Sequence, residues 1–389
     1  MHARRRTRLL AIPVAVAVLG LVLGAFAPTA GATAGAPATT AAPDATGEAA
    51  PDGTRTGPGR HGGHGRPDAT VSADGRGDFT SVQAAIDAAP AGATEPWVIA
   101  VRPGEYRELV KVPATKPFLT LVGTGRTAQD VVIAYDNANG TPKPDGTGTY
   151  GTSGSASVTV DGADFTARNL TFANLFDEAA HPEITNRQAV AVLTRADRLV
   201  FDGVRFLGNQ DTLYVNSASA AVVARAYFRD CYVEGDVDFV FGRATAVFEG
   251  CEIRSLTRGS ATNNGYVTAP STMMANPYGF LFTRCRFTSD APAGTVFLGR
   301  PWHPSNDPDA IGQVLVRDSW IGAHVGATAW SDFSGGWSWR DARFAEHHNR
   351  GPGALVTPDR PQLTRAEAAA FTPRTYLAGD DGWAPFRRS

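Results

Sequence analysis

The fold is decided by a motif that recurs along the middle of the chain: Phe165-Thr-Ala-Arg-Asn-Leu-Thr-Phe172, Leu199-Val-Phe-Asp-Gly-Val-Arg-Phe206, Tyr227-Phe-Arg-Asp-Cys-Tyr-Val233, Val247-Phe-Glu-Gly-Cys-Glu-Ile253, Leu281-Phe-Thr-Arg-Cys-Arg-Phe287 and Leu315-Val-Arg-Asp-Ser-Trp-Ile321. Each copy carries an apolar start, a polar or small pair, a pivot that is apolar in all but the last copy, then one more apolar residue two places on. The pivots are Leu170, Val204, Cys231, Cys251, Cys285 and Ser319, separated by 34, 27, 20, 34 and 34 residues. A strand–turn–strand unit returning at this interval, with no helix between copies, is the pattern of a β-solenoid whose coils stack on one another. A β-sandwich would need hairpin turns and a different spacing.

All three cysteines sit at pivots. Equivalent residues of stacked coils lie about 4.8 Å apart, inside the Cα separation that a disulfide accepts. Cys231 with Cys251, Cys251 with Cys285, and three buried thiols are all compatible with this register. The same register brings Asp211, Asp238 and Arg258, each seven positions past its pivot, to equivalent places on three consecutive coils. Two carboxylates one strand spacing apart cannot both ionise freely, so such a pair supplies one protonated and one ionised group near neutral pH. Asp211 lies in Gly208-Asn-Gln-Asp-Thr-Leu-Tyr214 and Asp238 in Gly235-Asp-Val-Asp-Phe-Val-Phe-Gly242. There, phenylalanines would desolvate a carboxylate and an adjacent Gln amide could donate to a developing oxyanion. Five of the seven tryptophans fall between 302 and 339; Trp302, beside Arg300, suits a sugar-cleft wall, and Trp320 suits core packing.

Outward from the repeats, 79–89 has the spacing of a short amphipathic helix ended by Pro90, and a second helix is predicted over 363–371. Strands are predicted at 97–101, 119–122, 131–134 and 157–160. The first 32 residues combine a basic start (Arg4, Arg5, Arg6, Arg8), an apolar run and a small-residue cleavage site, and predict an export signal, with a twin-arginine route left open. Residues 33–68 are Ala, Thr, Pro, Gly and Asp with almost no large apolar side chain, which predicts a disordered linker; 69–389 is then one β-helix domain. With 36 Lys plus Arg against 38 Asp plus Glu, the charge of −2 argues against a nucleic-acid binder. Only three of the 36 cations are lysine, so the chain is rich in the residue suited to planar recognition of carboxylates.

Taken together and in order, Asp78-Phe-Thr-Ser-Val-Gln-Ala-Ala-Ile86, Gly104-Glu-Tyr-Arg-Glu108, Gln188-Ala-Val-Ala191, Gly208-Asn-Gln-Asp-Thr-Leu213, Asp236-Val-Asp-Phe-Val-Phe-Gly242 and Leu298-Gly-Arg-Pro-Trp302 resemble the pectin methylesterase (pectinesterase) family over residues 70–389. The resemblance implies an all-β, right-handed parallel β-helix with short terminal helices. It implies Asp238 as nucleophile, Asp211 as general acid/base, Gln188 and Gln210 as oxyanion donors, and Arg300 as the residue that holds Asp238. Trp302, Phe241, Tyr214, Thr152, Tyr266 and, in a less distinctive segment, Arg258 are the implied substrate contacts, and Cys231–Cys251 matches a disulfide seen in bacterial members.

The implied reaction is hydrolysis of methyl-esterified galacturonate in pectin, releasing methanol, with no metal or cofactor and with an Arg-rich cleft favouring acidic sugars. A monomer, secreted and without membrane attachment after signal cleavage, is expected. Two departures stand out. The span between Asp211 and Asp238 is about six residues longer than the family's, which predicts a protruding loop at 216–223 that could alter substrate grip, and Phe333 stands where some bacterial members have Met. The rivals are a pectate lyase, which would want a Ca²⁺ cage, a polygalacturonase or other glycosidase, and a non-catalytic pectin-binding solenoid.

Overall fold

The computed structural model describes residues 66–386; the export signal and most of the linker lie outside them. From Ala69 the chain winds into a parallel β-helix of three sheets with ten, eight and seven strands, every named strand pair being parallel. The intervals between repeats are the registers of the ten-stranded sheet: Ala167 pairs with Phe201, Phe201 with Phe228, Phe228 with Phe248, Phe248 with Phe282 and Phe282 with Val316. Side chains alternate along a strand, so this column points inward as a whole. Phe201, Phe228, Phe248 and Phe282 stack at 4.8, 4.5 and 4.6 Å between centroids with planes within 9° of parallel, all fully buried. Stacked pairs contribute roughly 0.5–1.5 kcal/mol beyond the apolar area they bury.

The residue before each pivot turns the chain from the ten-stranded to the eight-stranded sheet. Asn169, Gly203, Asp230, Gly250, Arg284, Asp318 and His348 there all have φ between 50° and 67°. Gly, Asn and Asp tolerate this left-handed conformation best, which explains much of the polar or small pair in the motif. The pivots then satisfy one another: Cys231 N–H donates to Cys251 Sγ (3.4 Å), Cys285 N–H to Ser319 Oγ (3.0 Å) and Ser319 N–H to Asn349 Oδ1 (3.1 Å). This ladder corrects the disulfide expectation. Cys231, Cys251 and Cys285 are free, buried thiols, each leaning on a carbonyl of the preceding coil, Phe201, Phe228 and Phe248 respectively. The sulfurs act as backbone partners, and none bridges to another.

The ends are closed differently. The first predicted helix forms over Val82–Ala88, capped by Ser81 Oγ, and buries Val82, Ala85 and Ile86. Near the C-terminus the inward column ends on Glu346, which pairs with Val316 and is neutralised by fully buried Arg360 at 2.6–2.7 Å. The predicted 363–371 helix is only Arg365–Ala368, and a second short helix, Pro373–Leu377, follows it. Trp320 is half-buried on an outer face under Arg286 (4.9 Å) and is not a core residue.

Arginine serves the stack more than the cleft. Arg195, Arg198, Arg225 and Arg229 each make a two-point contact with an acid near one coil earlier, namely Asp161, Asp164, Asp197 and Asp202. The planar guanidinium matches a carboxylate one coil away in a way that lysine cannot.

Candidate active site

The two acids lie where the coil register predicts them. Leu213 pairs with Val240 and Tyr214 with Phe241, which sets Asp211 beside Asp238 on neighbouring coils, and Asp211 N–H donates to Val237 O (3.0 Å). Both have left-handed backbones, φ 68° for Asp211 and 51° for Asp238, a strained state costing roughly 1–3 kcal/mol per residue. At Asp238 the strand register to the next coil breaks between Val237 and Val240. The break lets Phe239 enter the core while Asp238 and Phe241 face a cleft. Gly235 permits the close turn before it, since a Cβ there would lie 2.6 Å from Asn209 O.

The cleft, about 380 Å³, is lined by Asp211, Asp238, Gln188, Gln210, Arg300, Trp302, Phe241, Tyr214 and Thr152, with Ser153, Ala269 and Phe333. Its size falls in the range of small-molecule sites. Tyr214 stacks on Phe241 at 4.1 Å, and Trp302 meets both edge-on. Arg300 follows Gly299, where a Cβ would collide with Thr268 Oγ1 at 2.1 Å. From there Nε and Nη2 donate to Oδ1 and Oδ2 of Asp238 at 2.9 and 2.7 Å. Among the described residues no salt bridge reaches Asp211 and neither Gln188 nor Gln210 spends its side-chain amide on a protein partner; Gln188 Oε1 is buried and unpaired.

Burial and the neighbouring Asp238 charge push the Asp211 carboxyl well above the usual carboxylate range, with Arg300 opposing. Burial also raises Asp238, but the two-point contact with Arg300 works against it. The two environments thus separate the acids, favouring a proton on Asp211 and charge on Asp238.

Tyr266 stands behind the cleft wall, its ring 3.9 Å from the Arg300 guanidinium carbon. Arg258 does not join the acids. The loop after Ser255 carries it out of register, so the strand Gly265–Pro270 supplies the next rung, and Arg258 pairs with Asp236 at 2.7 Å outside the cleft. Seven positions past the pivot is therefore equivalent only where the turn keeps its length. The 216–223 loop leaves the acids in register, as expected, yet it does not line the cleft: Asn216 and Ser217 are buried, and Val223 lines a groove with Arg225, Tyr376 and Asp381. Within the cleft itself Arg300 is the one arginine among the lining residues. Ala269 reaches the cleft through its strand pairing with Phe241, a register that the loop after Ser255 hides from the sequence, and Ser153 carries no signal beyond its place next to Thr152.

Residues 68–380 match the family model described as Pectinesterase. The chain belongs to the pectinesterase family. It is 39% identical to a pectinesterase of Ralstonia nicotianae over 320 residues, 74% of this chain and 80% of that protein, and 38% identical to pectinesterase A of Dickeya chrysanthemi, covering 81% and 90%. A pectin methylesterase solved in complex with a hexasaccharide superposes with a TM-score of 0.74 at 35% identity, covering 84% of this chain and all of that one. The carrot pectin methylesterase gives 0.69 at 29%, covering 82% and 96%. This pectinesterase has, among its described residues, no group of three or more His, Cys, Asp or Glu placed to hold a metal ion.

Proposed function

We propose that the chain removes methyl groups from the galacturonate esters of pectin through Asp238 as nucleophile and Asp211 as general acid and base. One observation carries the assignment of roles: two buried carboxylates share a cleft wall, and only Asp238 is gripped by a guanidinium. Ionised Asp238 attacks the ester carbonyl, and the uncommitted amides of Gln188 and Gln210 stabilise the tetrahedral oxyanion. Asp211 gives its proton to departing methanol, then takes one from the water that opens the acyl-enzyme anhydride. Trp302, Phe241 and Tyr214 offer sugar-ring faces, with Thr152 at the rim and Tyr266 supporting Arg300. Arg258, paired with Asp236 outside the cleft, would meet only a chain that runs beyond it. The substrate partner is methyl-esterified homogalacturonan, and the hexasaccharide held by a relative supports a cleft that takes several sugars. The basic–apolar N-terminus supports export, and a single solenoid with covered flanks supports a monomer.

The test is methanol release from highly methylated pectin, with and without EDTA. Wild type should release methanol equally in both, and Asp238→Ala should lose at least 10³-fold in kcat, the order expected when a covalent nucleophile is removed. Wild-type activity abolished by EDTA, or an active Asp238→Ala, would overturn the assignment.

A further inference from the structure

Arg300 is held on both faces. Tyr266 lies under its guanidinium at 3.9 Å and Phe333 over it at 4.6 Å, while its edge grips Asp238. Tyr266 belongs to a strand of the solenoid and is itself backed by Phe297 (5.4 Å) and tied by Asn263 Nδ2 to its hydroxyl (2.8 Å). Phe333 comes from elsewhere, a small hairpin outside the repeat.

That hairpin is built to keep its place. Phe333 N–H donates to Trp337 O (2.8 Å) across an antiparallel bridge, and Gly335 and Gly336, both at φ 89°, make the tip. Asp332 Oδ1 fastens the base, accepting from Ser338 Oγ (3.1 Å) and Trp339 N–H (3.0 Å). Trp337 then stacks flat on His303, 3.7 Å between centroids and 11° between planes. His303 directly follows Trp302, is 9% exposed, and is fixed through Nδ1 to Asp307 O (2.9 Å). The hairpin therefore touches the Arg300–His303 segment twice, at the guanidinium and at the imidazole.

We propose that the 332–338 hairpin is a positioning element for catalysis: Phe333 closes an aromatic sandwich that fixes the plane of Arg300, and through it Asp238, while the Trp337–His303 stack pins the hairpin down. The inference rests on Asp238 being the nucleophile. A guanidinium between two rings keeps its edge free for a carboxylate and is shielded from water on both faces. Without the upper ring it can tilt, and a nucleophile misplaced by about 1 Å can lose roughly 10²-fold in rate. Phe333 is thus a positioning residue acting through Arg300.

The experiment measures kcat and KM for methanol release from highly methylated pectin with the full chain, alongside Asp238→Ala. Phe333→Ala should lower kcat at least tenfold with KM within threefold of wild type. Phe333→Tyr should restore kcat to within threefold. Phe333→Leu, which fills the space without a π face, should stay at least fivefold down, and Trp337→Ala should fall the same way by less. The Leu and Tyr variants decide the matter if the Ala variant does not fold. A rise in KM alone for Phe333→Ala would make Phe333 a subsite wall and overturn the proposal, as would full kcat in Phe333→Leu. An inactive Asp238→Ala beside unaffected Phe333 variants rejects this inference alone; an active Asp238→Ala rejects the nucleophile assignment and this inference with it.

Discussion

At the residue scale, the acid pair makes pH predictions of opposite kinds. The proton on Asp211 is favoured by burial and by the Asp238 charge, so its folded pKa exceeds the unfolded value of about 3.9. A raised carboxyl contributes stability that is fully present below the unfolded value and is lost as pH rises through the folded one. Asp211→Asn removes that loss. In thermal melts it should be more stable than wild type at pH 8, by about 1.4 kcal/mol for every tenfold difference in proton affinity between the folded and unfolded chain, and equal to it at pH 3; no gain at pH 8 would show that burial does not hold the proton. Arg300 acts on the other acid by opposing the rise at Asp238. In Arg300→Gln the Asp238 pKa should therefore climb and the acid limb of the residual kcat/KM profile move to higher pH. A limb that stays put would mean that Arg300 does not set the charge of Asp238.

At the scale of the element, the interior phenylalanine column is the most exposed to test. Phe248 touches Phe228 and Phe282 in near-parallel stacks and is fully buried, so Phe248→Ala should cost about 3–5 kcal/mol in denaturant unfolding. Phe248→Leu should cost less, retaining most of the apolar volume. A loss under about 1 kcal/mol for Phe248→Ala, below the range for emptying a packed aromatic site, would mean that the coils are not held by this column. The column was legible because stacking makes sequence distance and spatial register the same thing wherever turns keep a constant length. That is why Asp211 and Asp238 could be placed together, and why Arg258 could not: the loop after Ser255 changes the count. The cysteine ladder had the right register but the wrong chemistry, since Cα spacing permits a bridge and the rotamer, which aims sulfur at a neighbouring backbone, decides against one. The 332–338 hairpin was illegible for a different reason. Phe333 reaches Arg300 through a loop–loop contact, and no periodicity connects segments outside the repeat.

At the scale of the whole molecule, a solenoid leaves its sheets' outer faces without a partner unless another segment covers them, and here the C-terminal segment covers one. Tyr227, Val247, Leu281 and Leu315 form an apolar stripe on the outside of the ten-stranded sheet, and Tyr376, Leu377, Trp383 and Phe386 pack on it. Arg225 is the clasp. It donates to the carbonyls of Leu377 and Ala378 at 2.9 and 3.2 Å and to both oxygens of Asp381 at 2.6 and 2.9 Å, while its other edge holds Asp197. Asp381 is pulled below the usual carboxylate range chiefly by its hydrogen bonds from Arg225, so this clasp holds above the unfolded carboxylate value and weakens as pH falls. The acid pair lies on a different sheet, which separates the clasp from the chemistry. Arg225→Ala should therefore leave methanol release at 25 °C within twofold of wild type, lower the melting temperature, and make the chain beyond 372 sensitive to limited proteolysis. Wild type should keep that segment protected down to pH 3, because the clasped Asp381 carboxyl stays ionised well below the usual carboxylate range. Protection of that segment in Arg225→Ala would show that the apolar stripe alone holds it and that the arginine is dispensable.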